Sequence, residues 1–104
     1  MKTNNTLSNA IAAVQNQNNN LKLMVIYHPV LYANGYAYEY TYHPLWDVEA
    51  IEKDINKAYD EYVKIDKEYE YGVSNDMNTI AWIRGMKPGD ALATYTKDGI
   101  RYNY

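Results

Sequence analysis

Two histidines stand between a tyrosine and a proline, in the triplets Tyr27-His28-Pro29 and Tyr42-His43-Pro44. With Glu39 they could supply two imidazoles and one carboxylate, a set chemically suited to a catalytic metal. Their spacing matches no established ligand motif, so the simpler reading is that each histidine marks a strand end before its proline. No metal and no cofactor are therefore expected. The chain has no cysteine, which removes thiolate nucleophiles and sulfur-bound metals. It contains no GxSxG, no HExxH and no glycine-rich phosphate loop, and its two serines, Ser8 and Ser74, fall in a cap and a loop. A non-enzymatic role is expected.

Two other groups could make contacts. The chain carries thirteen tyrosines and no phenylalanine. Phenylalanine packs as well and has no hydroxyl to satisfy, so the bias predicts rings lying half in and half out of the core. The formal charge of −3 is also unevenly spread. Residues 47–70 hold nine acids and four lysines, a local sum of −5, and the remainder sums to +2. Such asymmetry points two ways, toward a basic partner through the acidic segment and an acidic one through the remainder. The composite partner surface read from these features is Glu49, Glu52, Asp60, Glu61 and Glu68, with Tyr36, Tyr38 and Tyr40 beside it.

Those residues need elements to hold them. Leu7, Ile11 and Val14 form one stripe of a short helix that Thr3 or Thr6 can cap, and the Asn-rich run at 16–20 stops it. Residues 21–33 read as an apolar strand, followed by Asn34-Gly35, a strong hairpin signal. The alternation from Tyr36 to Tyr42 reads as the second strand. A turn centred on Asn34-Gly35 would pair Ala33 with Tyr36, Leu31 with Tyr38 and Tyr27 with Tyr42, and set Pro29 against Tyr40 with a bulge or an edge there. That register puts His28, His43 and Glu39 on one face.

From Val48, apolar positions recur at 51, 55, 58, 62, 65 and 69, in alternating steps of three and four. This is the pattern of a long amphipathic helix, with acids in its first turn and Gly72 just past its end. Ile51, Ile55, Tyr62 and Ile65 are expected against the sheet, with Val25 and Trp82 as neighbours. A loop over 73–78 is expected next. The segments TIAWIRGM, ALATYT and IRYNY then read as a three-stranded meander, turning at Lys87-Pro88-Gly89-Asp90 and Lys97-Asp98-Gly99. The fold class expected is α+β: a mostly antiparallel sheet, a long helix across one face and a short N-terminal helix. Residues 1–104 read as a single domain, with 1–20 as a loosely attached helical arm in one version.

The function expected is a small protein-binding inhibitor or adaptor. Glu49 to Glu68 would span about 28 Å of helix, enough to track a basic groove. A DNA-mimicking, anti-defence protein of a phage or mobile element, anti-CRISPR-like, is one form of that role. The alternatives are a single-stranded nucleic-acid-binding sheet and a homo-oligomer joined by the helix seam or an edge strand. A pI of about 5.2 argues against nucleic acid. No apolar run approaches the roughly 18 residues of a membrane span, and the first residues lack a signal-peptide pattern. A cytoplasmic location follows as the expectation, that of the host if the chain is phage-encoded.

Overall fold

The computed structural model describes residues 6–69, 78–86, 91–96 and 98–104, including all their side chains except those of Tyr36, Glu68, Tyr69 and Asn78. The chain runs α1 (Leu7–Gln17), β1 (Leu23–Tyr32), β2 (Gly35–Pro44), α2 (Val48–Tyr69), β3 (Asn78–Ile83), β4 (Ala93–Thr96) and β5 (Gly99–Tyr102). This is an α+β fold. The five strands form one antiparallel sheet in the order β2-β1-β3-β4-β5. The expected hairpin and meander are therefore joined through β1 and β3, and β2 and β5 are the two edges. The helix stop at Gly72, residues 73–77 of the loop expected over 73–78 and the turn at Lys87–Asp90 fall outside the described residues, as does Lys97; Asn78, expected in that loop, instead opens β3.

Local chemistry accounts for the element ends. The Thr6 hydroxyl accepts from the Asn9 amide at 3.2 Å, capping α1. Asn18 ends it, its side-chain oxygen taking the Asn20 amide at 3.0 Å. Asp47 accepts from the Ala50 amide at 3.4 Å at the start of α2. Leu7, Ala10, Ile11 and Val14 of α1 are buried with Ile51, Ile55, Ala58, Tyr62 and Ile65 of α2 in one core. The seam that could have zipped two helices together is thus consumed inside the molecule.

The hairpin register differs from the expected one: the two-residue turn lies one residue earlier, so every partner shifts by two positions. The pairs are Tyr32–Gly35, Leu31–Tyr36, Pro29–Tyr38, His28–Glu39, Tyr27–Tyr40, Val25–Tyr42 and Met24–His43, without a bulge. Ala33 and Asn34 occupy the turn, and Gly35, with φ of 134°, opens β2. Pro29 explains the slip. Pairs in an antiparallel ladder alternate between hydrogen-bonded and non-bonded, starting with a bonded pair at a two-residue turn. The expected register would place Pro29 in a bonded pair, where its missing N–H breaks the ladder. In the observed register the odd residues of β1 turn their backbone away from β2, as the Leu23 carbonyl does in accepting the Arg84 amide at 2.8 Å. The proline then removes no hairpin bond.

The slip moves each partner by two positions, so the faces are as expected. Met24, Ile26 and His28 lie on the helix side with Ala81 and Ile83 of β3. Alternation sets Val25 and Trp82, which pair with one another, on the other face. Val25 lies outside the core that α2 lines, contrary to expectation, whereas half-buried Trp82 packs against that core as expected. Gly85 follows β3 with φ of 105°, and a Cβ there would stand 2.6 Å from the Leu21 Cδ2 atom.

Candidate functional site

The acids of α2 divide into two sets. Glu49, Glu52 and Asp60 are exposed, as expected, but Lys53, Lys57, Lys64 and Lys67 are exposed among them. The Glu68 side chain is outside the described ones. Glu61 corrects its assignment to the solvent side: its carboxylate turns to the sheet and meets His28 Nδ1 at 2.7 Å. Asp54, absent from the residues singled out above, lies between both histidines. Its Oδ2 meets His43 Nε2 at 2.8 Å and also accepts from the Thr41 hydroxyl.

His28 is the centre of this group. It is 7% exposed. Its Nε2 lies 2.9 Å from Asp54 Oδ1, within ion-pair distance, yet off the line a hydrogen bond requires. A neutral ring donates through one nitrogen only, whereas a charged ring presents N–H to both carboxylates. Burial alone would raise the Asp54 carboxyl. The bonds from Thr41 and His43, with the two imidazoles beside it, hold it below the ordinary carboxylate value. The arrangement ties β1 and β2 to α2.

It does not bring Glu39 together with the two histidines. Glu39 faces His28 in the ladder but takes the Tyr32 hydroxyl, at 3.5 Å. Among the described residues no group of three or more histidines and acids is arranged to hold a metal ion. The carboxylates meet histidine nitrogens and hydroxyls, and the central ring is buried.

The tyrosines form a second constellation. Tyr40 and Tyr27 lie 4.9 Å apart between ring centres, Tyr27 and Tyr38 5.9 Å, Tyr38 and Tyr62 6.3 Å, Tyr62 and Tyr95 5.4 Å, and Tyr95 and Tyr59 5.4 Å. The row passes from an exposed strand into the core. Buried Tyr62 donates its hydroxyl to the Thr79 carbonyl at 2.7 Å. Burial raises the Tyr95 phenol, and the Asp66 carboxylate beside it, a hydrogen-bond partner, raises it further. Asp66 is thus another helix acid turned inward. Burial, with Tyr40 and Tyr42 nearby, also raises Tyr27.

Of the expected surface tyrosines, Tyr38 is half-buried between Tyr27 and Tyr62, and Tyr40 is 52% exposed. The Tyr36 side chain is not described. Three exposed rings were not anticipated: Tyr42 at 56%, Trp46 at 81% and Tyr32 at 50%. Trp46 stands in the turn immediately after β2. Its exposure carries no signal in the sequence, since a lone tryptophan between Leu45 and Asp47 reads equally well as core. The backbone adds a further feature. Because the odd residues of β2 bond to β1, the N–H and C=O groups of Tyr36, Tyr38, Tyr40 and Tyr42 point away from the sheet.

No described helix is long and apolar enough to cross a membrane. Comparison with protein-family models, with curated proteins and with solved structures finds no match.

Proposed function

We propose that the chain is a non-enzymatic protein-binding module, an inhibitor or adaptor, that docks through the outer edge of β2 and the rings beside it. The observation that carries this reading is the coincidence of Tyr40, Tyr42 and Trp46, all exposed, with a ten-residue edge strand. Tyrosine and tryptophan supply large contact area at low conformational cost and are enriched at interface hot spots. An open edge also offers main-chain bonds to an added strand. Isolated exposed rings are ordinary on protein surfaces, but three of them along one edge strand and its following turn are a contiguous contact surface.

The helix surface is the weaker candidate. A DNA mimic needs a sustained acidic face, whereas four lysines interrupt the exposed acids of α2 and three other acids turn inward. The contact is therefore assigned to β2, with the acids of α2 in a steering role at most. Acidic composition and only two arginines favour a protein over a nucleic acid.

The test compares partner capture from native lysate by the unaltered chain, by Tyr40→Lys with Trp46→Ala, and by Glu49→Lys with Glu52→Lys and Asp60→Lys. The β2 variant should lose at least tenfold of the specific partner and the helix variant much less. Loss confined to the helix variant would overturn the assignment.

A further inference from the structure

We infer that the partner accepted by the β2 edge is a second copy of this chain, paired antiparallel about a two-fold axis at Tyr40. The inference rests on the reading of β2 as the docking surface and names the occupant.

The backbone parity leaves few symmetric registers. Outward N–H and C=O groups belong to even-numbered residues, so an added antiparallel strand must bond through those positions. If Tyr38 bonded to the partner's Tyr40, Glu39 would stand directly opposite the partner's Glu39, and like charges in opposition destabilise a sheet. If Tyr40 bonded to the partner's Tyr42, the overlap would shrink to residues 38–44. Centring on Tyr42 shortens it further, to residues 40–44. Centring on Tyr38 abandons Tyr42, His43 and Pro44, leaving the exposed half of the strand uncovered. Centring on Tyr40 gives the longest overlap without opposed charges, Tyr36 to Pro44; Pro44 gives up one bond in each terminal pair, against the partner's Tyr36, and Tyr38 stands opposite the partner's Tyr42. Glu39 then faces the partner's Thr41, so the only charged acid of the strand meets a hydroxyl.

The side chains agree with that register. Aromatic pairs across adjacent strands stabilise a sheet, and the rows of tyrosines in the two copies would meet as one ladder. Trp46, the most exposed large ring of the described residues, lies just beyond Pro44. Pairing Pro44 with the partner's Tyr36 brings Trp46 to the partner's turn at Ala33 and Asn34, next to Tyr32, which is also exposed. The β2 edge lacks the usual protections against such pairing: it contains no lysine and no bulge, and its proline is at the end. The opposite edge, β5, has only four residues and carries exposed Arg101.

The chain contains no cysteine, so a single introduced one reports the register directly. Bonded partners across a two-fold have Cα atoms about 5.5 Å apart, within disulfide reach. Tyr40→Cys should therefore form a disulfide-linked dimer under mild oxidation. Tyr42→Cys should not link to itself, because in this register the two positions are offset by four residues, about 13 Å along the strand. Sedimentation of the unaltered chain from micromolar to millimolar concentration should show a monomer going to a species of twice 12.1 kDa and no larger. Tyr40→Pro, which removes an outward N–H, should remain monomeric with an unchanged circular dichroism spectrum, while Tyr40→Phe should still dimerise. Monomer throughout, self-linking at position 42 rather than 40, or open-ended polymers of β2 on β5 would each overturn the inference. If the chain stays monomeric while the β2 variant still loses a captured protein, the second copy is wrong and the docking edge stands; if neither effect is seen, both fail.

Discussion

The two sides of the β1–β2 hairpin handle their polar groups in opposite ways. Toward α2, His28, His43 and Thr41 meet Asp54 and Glu61, with distances of 2.7 Å from His28 to Glu61 and 2.8 Å from His43 to Asp54. Along the outer edge of β2, the peptide groups of four tyrosines have no strand beside them. The same chemical resource, a row of polar groups on a strand, is used in one place to hold the molecule together and faces away from the sheet in the other. Formal charge along the sequence therefore does not separate acids that hold the fold from acids that face solvent. The acids that make residues 47–70 electronegative are partly structural, and the aromatic edge carries little charge.

Substitutions sharpen this contrast, beginning with the core beneath both sides. Ile55 is fully buried. Ile55→Ala should cost about 2–5 kcal/mol in a urea titration, and a loss under about 0.5 kcal/mol would mean that the helix does not face the sheet. Asp54→Ala should cost about 1–3 kcal/mol, since it leaves His43 and Thr41 without their shared acceptor and removes the carboxylate beside His28. An equal loss in Asp60→Ala, at an exposed position of the same helix, would erase the distinction between inner and outer acids.

The pH dependence separates the same groups. The Asp54 carboxyl is lower in the fold than its unfolded value near 3.8, so its contribution is complete above that pH and disappears as the pH falls through the folded value. Asp54→Asn should flatten the acid limb of a stability profile. At the other extreme, burial and the nearby Glu52 carboxylate push Tyr102 from 10.0 to about 12. Its contribution is complete below pH 10 and declines between 10 and about 12, so Tyr102→Phe should flatten the alkaline limb. Unchanged limbs in these variants would contradict the assigned environments. The smallest effect is expected from Glu49→Lys with Glu52→Lys and Asp60→Lys, within about 0.5 kcal/mol per site by thermal melting.

Much of the architecture is legible in residue patterns. The alternating steps through Ile51, Ile55, Ala58, Tyr62 and Ile65 identify α2 and its buried face, because a helix needs one continuous apolar stripe. The hairpin faces are equally legible from the Tyr alternation. Its register is not, because the Asn34-Gly35 signal had to be weighed against a proline five residues upstream whose effect depends on bonding parity. Asp54 and Glu61 look like their neighbours in composition. Their spacing of seven, each one residue before a buried position of the stripe, is the signal that places them on its border. Their engagement with His28 follows only once the sheet has brought that ring across from them.

The central claim is that the outer edge of β2, and not the solvent face of α2, is the surface kept open for a partner. Residue-resolved amide hydrogen exchange on the unaltered chain, in dilute and in concentrated solution, tests it most directly. The amides of Tyr38, Tyr40 and Tyr42 should exchange fast when dilute and become selectively protected when concentrated, while those of Val25 and Ile26 are protected in both. Protection of the three tyrosine amides already present in dilute monomer, or concentration-dependent protection that appears on α2 and leaves β2 unchanged, would contradict the account.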